Sequence, residues 1–114
     1  MRRKTLPDTI KVGPYRYTVS IDAAEVREMH REHPTWNGMA DYHTQRIVLD
    51  DSCGPDVMAE NLLHEVKHVI DYAAGIGSAE KITAHENIYR TSAWLLLVLR
   101  ENPDLVAFLT AETP

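Results

Sequence analysis

The stretch from Glu60 to Tyr72 places the strongest constraint on how this chain can fold. It contains the pentapeptide His64-Glu65-Val66-Lys67-His68, in which a glutamate follows the first of two histidines spaced four residues apart. In an α-helix, residues four apart project from one face, so both imidazoles can bind one zinc ion while Glu65 lies beside it. Apolar residues recur at helical spacing around the motif, which predicts an amphipathic helix. The alternative reading is a pair of solvated or structurally buried histidines on such a helix.

The motif also predicts a reaction. Zinc lowers the pKa of a bound water to near neutrality, and a neighbouring carboxylate such as Glu65 can take the proton. Catalytic zinc usually has a third protein ligand, and the second predicted helix offers Glu80, His85 and Glu86. Glu86 suits an antiparallel return helix, whereas Glu80 falls close to the turn. His85 and Glu86 differ by about 100° in direction, so only one of them can face the first helix squarely.

Size and composition indicate a single globular domain over residues 1–114. Apolar residues make up 44% and charged residues 25% of the chain, which is ordinary for such a domain. The net charge of -5 argues against a nucleic-acid surface. Cys53 is the only cysteine, so no intramolecular disulfide can form and a reducing compartment fits best. We find neither an apolar signal segment nor an apolar run of the roughly 18 residues that a membrane span needs. These features predict a cytoplasmic protein that does not bind membranes.

Turn signals and periodicity divide the chain into strands and helices. We predict a β-hairpin, a short helix, a second strand pair, the motif helix, a second long helix with Ser78 as N-cap, and a short terminal helix. Their bounds are, in order, Thr9–Val12 with Tyr15–Ile21, Ala23–Glu32, Trp36–Tyr42 with Gln45–Asp50, Pro55 to about Ala74, Ala79–Arg100, and Asp104–Leu109.

The order of these elements predicts an α+β fold with a small antiparallel or mixed β-sheet packed on two long helices. One helix carries the zinc motif, and the other returns antiparallel to it with the candidate glutamate. Apolar residues predict that the second helix is the main core helix; they are Ile82, Tyr89, Ala93 and Leu96, with the neighbours Leu95, Leu97 and Leu99.

The run from His64 to Gly75 resembles the active-site helix of thermolysin, and the chain from Ile10 to Leu109 resembles the minimal gluzincin metallopeptidases, or minigluzincins. The chain is also similar to small phage and prophage proteins allied to the ImmA/IrrE-like peptidases. The resemblance implies a zincin-like fold, a zinc cofactor held by His64, His68 and Glu86, and Glu65 as general base. It also implies a peptide or protein as substrate.

The resemblance also raises the question of what supports the zinc ligands. Thermolysin-type enzymes place an aspartate four residues after the ligand glutamate, where this chain has Arg90. Asp71 lies on the helical face of the two histidines and Asn61 precedes His64 by one turn. Either could accept the second N–H of an imidazole.

A peptidase further needs a donor for the tetrahedral oxyanion and a strand on which to lay its substrate. The candidate donors are Tyr89, Tyr72, His85 and His43, and the sequence does not rank them. In the resembling clan, the substrate pairs with an edge strand over the zinc. The corresponding residues here are Gly38, Met39, Ala40 and Asp41.

Two other classes of function compete with this prediction. The first is a zinc-stabilised regulatory or binding module, catalytically silent or latent, because little chain remains to build a lid. The second is a DNA-repair protease of the SprT kind, which the acidic net charge disfavours.

Overall fold

The computed structural model describes residues 5–76 and 84–111, except for the side chains of Ala84 and Tyr89. Within these residues the chain forms four strands and four helices. They are β1 (Thr9–Val12), β2 (Tyr15–Ser20), α1 (Ala23–Glu32), β3 (Gly38–Asp41), β4 (Arg46–Leu49), α2 (Pro55–Ala73), α3 (Ala84–Glu101) and α4 (Pro103–Thr110). The predicted order of elements is confirmed. The predicted start of the second long helix at Ala79, its cap Ser78, and the residues Glu80 and Ile82 lie outside the described residues.

The sheet is mixed, with strand order β1-β2-β4-β3. Both hairpins, β1–β2 and β3–β4, are antiparallel, whereas β2 and β4 run parallel. The parallel pairing arises because α1 carries the chain back across the sheet between the two hairpins. As a result β3 has a neighbour on one side only and forms an edge of the sheet beside α2.

The main core lies between one face of the sheet and the helices that cover it. Alternate residues of the strands and one stripe of α2 meet there, as the periods of a strand and a helix require. The buried residues are Ile10, Val12, Tyr17, Ile47, Leu49, Leu62, Val66, Val69, Ile70, Val98, Leu105 and Phe108. Val48 is buried on the opposite face, and Met29 of α1 is buried outside the main cluster. We therefore place α1 on that second face of the sheet.

The structure corrects the predicted core face of the second long helix. Leu96 is 48% exposed and Ala93 is exposed, while Val98 and Thr91 are buried. The prediction was wrong because leucines occur on several sides of this helix, so apolar periodicity alone cannot select a face. The buried face of the helix is set by packing near β1, where Trp94 lies over the backbone of Gly13.

The ends of α2 follow from local chemistry. Pro55 occupies the first turn, where its missing N–H leaves no helical hydrogen bond unmade. At the other end Gly75 has a φ of 77°, and its N–H donates to the carbonyl of Tyr72 while Ile76 N–H donates to that of Asp71. This is the Schellman arrangement, which glycine enters at little steric cost. The predicted end of the motif helix at Gly75 is confirmed.

A buried asparagine joins the start of the sheet to the last two helices. Asn102 Oδ1 accepts from the Lys11 N–H at 2.8 Å, and its Nδ2 donates to the carbonyls of Lys11 at 2.8 Å and Val98 at 2.7 Å. Asn102 is the N-cap of α4 by position, yet its side chain bonds to these groups and not to the helix start. None of the helices within the described residues is both long and apolar enough to cross a membrane.

Candidate active site

Residues 64 and 68 bring two imidazoles together on the surface of α2. Their Nε2 atoms are 3.0 Å apart, and the rings meet edge to face with centroids 4.6 Å apart. Both side chains are exposed, while Glu65 and Val66 between them are buried. Because the two nitrogens converge on one point outside the helix, the pair can bind a cation there.

Glu65 lies at the bottom of this site and is 7% exposed. Its Oε2 is 4.0 Å from the Nε2 of His64. Burial raises the pKa of Glu65, because loss of solvent penalises the charged form, and the neighbouring His64 partly opposes this shift. A carboxylate with a raised pKa is better matched to taking and giving a proton near neutral pH.

His68 has a pKa lowered mainly by burial, with smaller contributions from His64 and Lys67, against an opposing effect of Asp71. The imidazole therefore stays neutral over a wider range of pH. Only neutral imidazole has a free lone pair for a metal ion, so this environment favours metal binding.

A cleft of about 410 Å³ opens over the motif and has β3 as one wall. Its lining includes both histidines, Glu65 and Asn61 from α2, and the segment from Thr35 to Ala40 together with Tyr42. A Cβ added at Gly38 would lie 3.2 Å from Glu65 Oε2 and 3.1 Å from Leu49 Cδ2. The small residue at this position thus allows the strand to approach the buried carboxylate.

The backbone of β3 has hydrogen-bonding groups directed away from the sheet. The carbonyl of Asn37 accepts from the Asp50 N–H, so Asn37 directs its polar groups toward β4. In an antiparallel ladder this direction alternates along the strand. Gly38 and Ala40 therefore direct their N–H and C=O groups toward the free edge, beside the cleft.

The third predicted ligand is not brought to the histidines. Glu86 and His85 are exposed residues near the start of α3 as described. Within residues 5–76 and 84–111, no group of three or more His, Cys, Asp or Glu side chains is arranged to hold a metal ion. The assignment of Glu86 stays a prediction.

The two residues predicted to support the histidines have other contacts. Asp71 forms an ion pair with Lys67, whose Nζ also donates to Asn87 Oδ1 at 3.1 Å. The Nδ2 of Asn61 lies 3.9 Å from the Sγ of Cys53. Asn61 lines the cleft and Asp71 raises the pKa of His68, so both lie near the site.

The sequence predicted only some of the aromatic residues that lie at the cleft. Tyr72 is 53% exposed and stacks on Tyr42, with ring centroids 4.2 Å apart, and it is Tyr42 that lines the cleft. His43 lies in the exposed turn after β3, and the side chain of Tyr89 lies outside the described residues. Sequence analysis missed Tyr42 and Trp36 as cleft residues, although their places at the ends of the predicted edge strand indicate them.

Comparison with known proteins found no matching protein-family model, no matching curated protein and no matching solved structure.

Proposed function

We propose that this protein is a zinc-dependent peptide hydrolase with a zincin-like site of the gluzincin type. One observation carries the proposal: two converging imidazoles, a buried carboxylate and a free strand edge share one cleft. The histidine pair alone supplies two ligands for a metal ion and no chemistry. The carboxylate beside it and the strand edge supply what peptide hydrolysis additionally needs, namely a base and a place for an extended substrate.

The spacing of the imidazoles supports zinc as the metal. Two nitrogens each about 2.0–2.1 Å from a tetrahedral zinc ion lie roughly 3.3–3.4 Å apart. The observed 3.0 Å between the Nε2 atoms of His64 and His68 is close to that value. Glu86 is the third ligand that we propose. When bound, zinc supplies a Lewis acid that polarises the substrate carbonyl and lowers the pKa of water.

In this proposal Glu65 moves the protons. It accepts one from the attacking water and returns it to the leaving amine, and its raised pKa makes the second transfer easier than for a solvated carboxylate. The substrate lies as an extended chain along β3, hydrogen-bonded to the outward groups of Gly38 and Ala40. This arrangement holds the reacting carbonyl near Glu65, which packs against Gly38.

A zinc-stabilised regulatory module is the second candidate function. It is favoured by the ion pair between Asp71 and Lys67, which engages the acid otherwise available to support an imidazole. Such a protein would bind zinc and partners without turnover.

Metal content and turnover, measured on the same samples, test the proposal. The native protein should bind one zinc per chain by mass spectrometry, and Glu86→Ala should weaken binding by at least roughly tenfold. The matched control Glu60→Ala changes an exposed acid of α2 and should leave affinity unchanged.

For turnover, a peptide library should be cleaved by the zinc-loaded native protein. Glu65→Gln should reduce the rate by about 10²-fold or more while retaining zinc. Zinc binding without any cleavage by the native protein would favour the regulatory module. Equal cleavage by both forms would refute Glu65 as the base.

A further inference from the structure

The cleft is bounded along β3 by two stacked aromatic pairs. Trp36 stacks on His33 with ring centroids 3.5 Å apart and an interplanar angle of 7°. At the other end Tyr42 stacks on Tyr72 with the same interplanar angle. Trp36 and Tyr42 both line the cleft, and His33 and Tyr72 support them from behind. We call the two pairs the Trp36 platform and the Tyr42 platform.

Between the platforms, the same side of the chain carries small residues. Trp36, Gly38, Ala40 and Tyr42 occupy alternate positions, and all four line the cleft. Gly38 and Ala40 lie within β3, where alternate side chains fall on one face, and Trp36 and Tyr42 flank the strand at its two ends. The cleft along β3 therefore has small residues in its middle and aromatic rings at its ends, and we call this part of it the trough.

The Trp36 platform is held in place before any ligand arrives. The Trp36 N–H donates to the carbonyl of His33 at 3.1 Å, and the Trp36 carbonyl is 2.9 Å from His30 Nε2. His30 Nε2 is also 3.3 Å from Asp50 Oδ2. The indole is nevertheless 43% exposed. A fixed, exposed ring offers apolar contact at a low cost in conformational entropy.

The trough has no positive side chain to attract an acidic ligand. Among the described residues that line it, none is lysine or arginine, and Glu65 is the one carboxylate. The chain as a whole has a net charge of -5. Apart from a metal ion at the two histidines, the described lining of the trough offers no partner for an acidic side chain, and its aromatic rings are the groups that distinguish one ligand from another.

We propose that the trough selects extended peptide segments with two apolar or aromatic side chains, one for each platform. The peptide as ligand rests on the proposed function. Trp36 and Tyr42 are six positions apart, which an extended chain would span in at most about 20 Å, so the two side chains should be no more than about six residues apart. Glu65 packs against Gly38, between the platforms, so the bond cleaved lies between the two apolar residues.

The test measures binding separately from turnover. The zinc-loaded Glu65→Gln protein is titrated by calorimetry with capped peptides that carry phenylalanines six residues apart, or alanine in place of either or both. Each Phe→Ala change should weaken binding by about tenfold or more, the loss expected when a ring is no longer buried.

Protein variants then show which platform binds each phenylalanine of the peptide. Trp36→Ala should weaken the two-phenylalanine peptide by about tenfold and should not weaken the peptide that lacks the matching phenylalanine. Tyr42→Ala should act in the same way at the other end, and Tyr42→Phe should retain binding because it keeps the ring. The matched control is Tyr15→Ala, an exposed tyrosine of β2 that does not line the cleft.

The outcomes separate this inference from the proposed function. Equal affinity for the peptides with and without phenylalanine would refute the proposed role of the platforms. An equal loss of affinity for all peptides on Trp36→Ala would refute it as well. Cleavage by the native protein without preference for apolar residues would also refute the proposed role of the platforms, but it would leave the hydrolase proposal intact. Selective binding with no cleavage by the native protein would support the platforms and refute the hydrolase.

Discussion

Replacing Glu65 with glutamine should make the metal-free protein more stable at neutral pH. Burial raises the pKa of Glu65 in the folded state, so folding favours the protonated form. A group with a raised folded-state pKa contributes its full stability below its unfolded pKa, about 4.3 for glutamate, and loses it as the pH rises through the folded pKa. At neutral pH the folded protein therefore holds a buried charge at a cost. Glutamine has a similar shape and never ionises.

The expected gain is on the order of 0.5–2 kcal/mol, the range typical when a strained functional residue is relieved. The average unfolding entropy of about 2.1 cal/mol/K per residue, scaled to 114 residues, gives roughly 240 cal/mol/K. A gain of 1 kcal/mol then raises the melting temperature by about 4 °C. Below pH 4 the difference between the two proteins should nearly vanish, because Glu65 is protonated in both the folded and the unfolded chain.

Differential scanning calorimetry in the presence of a chelator, from pH 3 to pH 8, measures this directly. The chelator is needed because bound zinc would stabilise the ionised carboxylate. Glu60→Gln is the matched control, since Glu60 is exposed on the same helix and its replacement should stay within about 0.5 kcal/mol of native. A Glu65→Gln protein that melts at or below the native temperature at pH 8 would refute the assignment of Glu65 as a buried, costly charge.

Three further predictions concern the scaffold. Asn102→Ala removes three hydrogen bonds, two of them to Lys11, and should lower the free energy of unfolding by about 3 kcal/mol in a urea titration. Gly13→Ala should cost about 1–3 kcal/mol by the same measurement, because Gly13 has a φ of 59° and the new Cβ would lie 2.5 Å from Trp94 Cζ3. Cys53→Ser should leave zinc affinity and turnover unchanged, since Cys53 lies in a loop and contacts the site only through Asn61; a large rise in turnover would instead indicate a latent enzyme.

Much of the fold follows from local signals in the sequence. The Gly13-Pro14 pair, the alternation of the strands and Gly75 after the motif helix predict elements that the structure confirms to within a few residues. Parallel pairing of β2 with β4 could not be predicted, because it depends on where α1 crosses the sheet. The buried face of α3 could not be predicted either, since its leucines occur on several sides and packing on β1 decides among them.

The candidate site likewise has features that the sequence predicts and features that it does not. The convergence of His64 and His68 follows from helical geometry alone, which is why the motif predicts it. The burial of Glu65 and its approach to Gly38 depend on the position of an edge strand formed by a distant segment. The place of Tyr42 at the end of the predicted strand indicates a cleft residue, but its stacking on Tyr72 is a tertiary contact that sequence spacing does not indicate.

The hydrogen bonds of Asn102 have a consequence for the order of folding. Two of them join residues 91 positions apart, and closing a loop of that length costs roughly 4 kcal/mol of chain entropy. Contacts so distant in sequence tend to form after the folding transition state, once the hairpins and helices have assembled. The hydrogen bonds of Asn102 would then slow unfolding and leave the folding rate nearly unchanged. Its loss would shorten the lifetime of the native state, and stopped-flow measurement of both rates would show the change in unfolding alone.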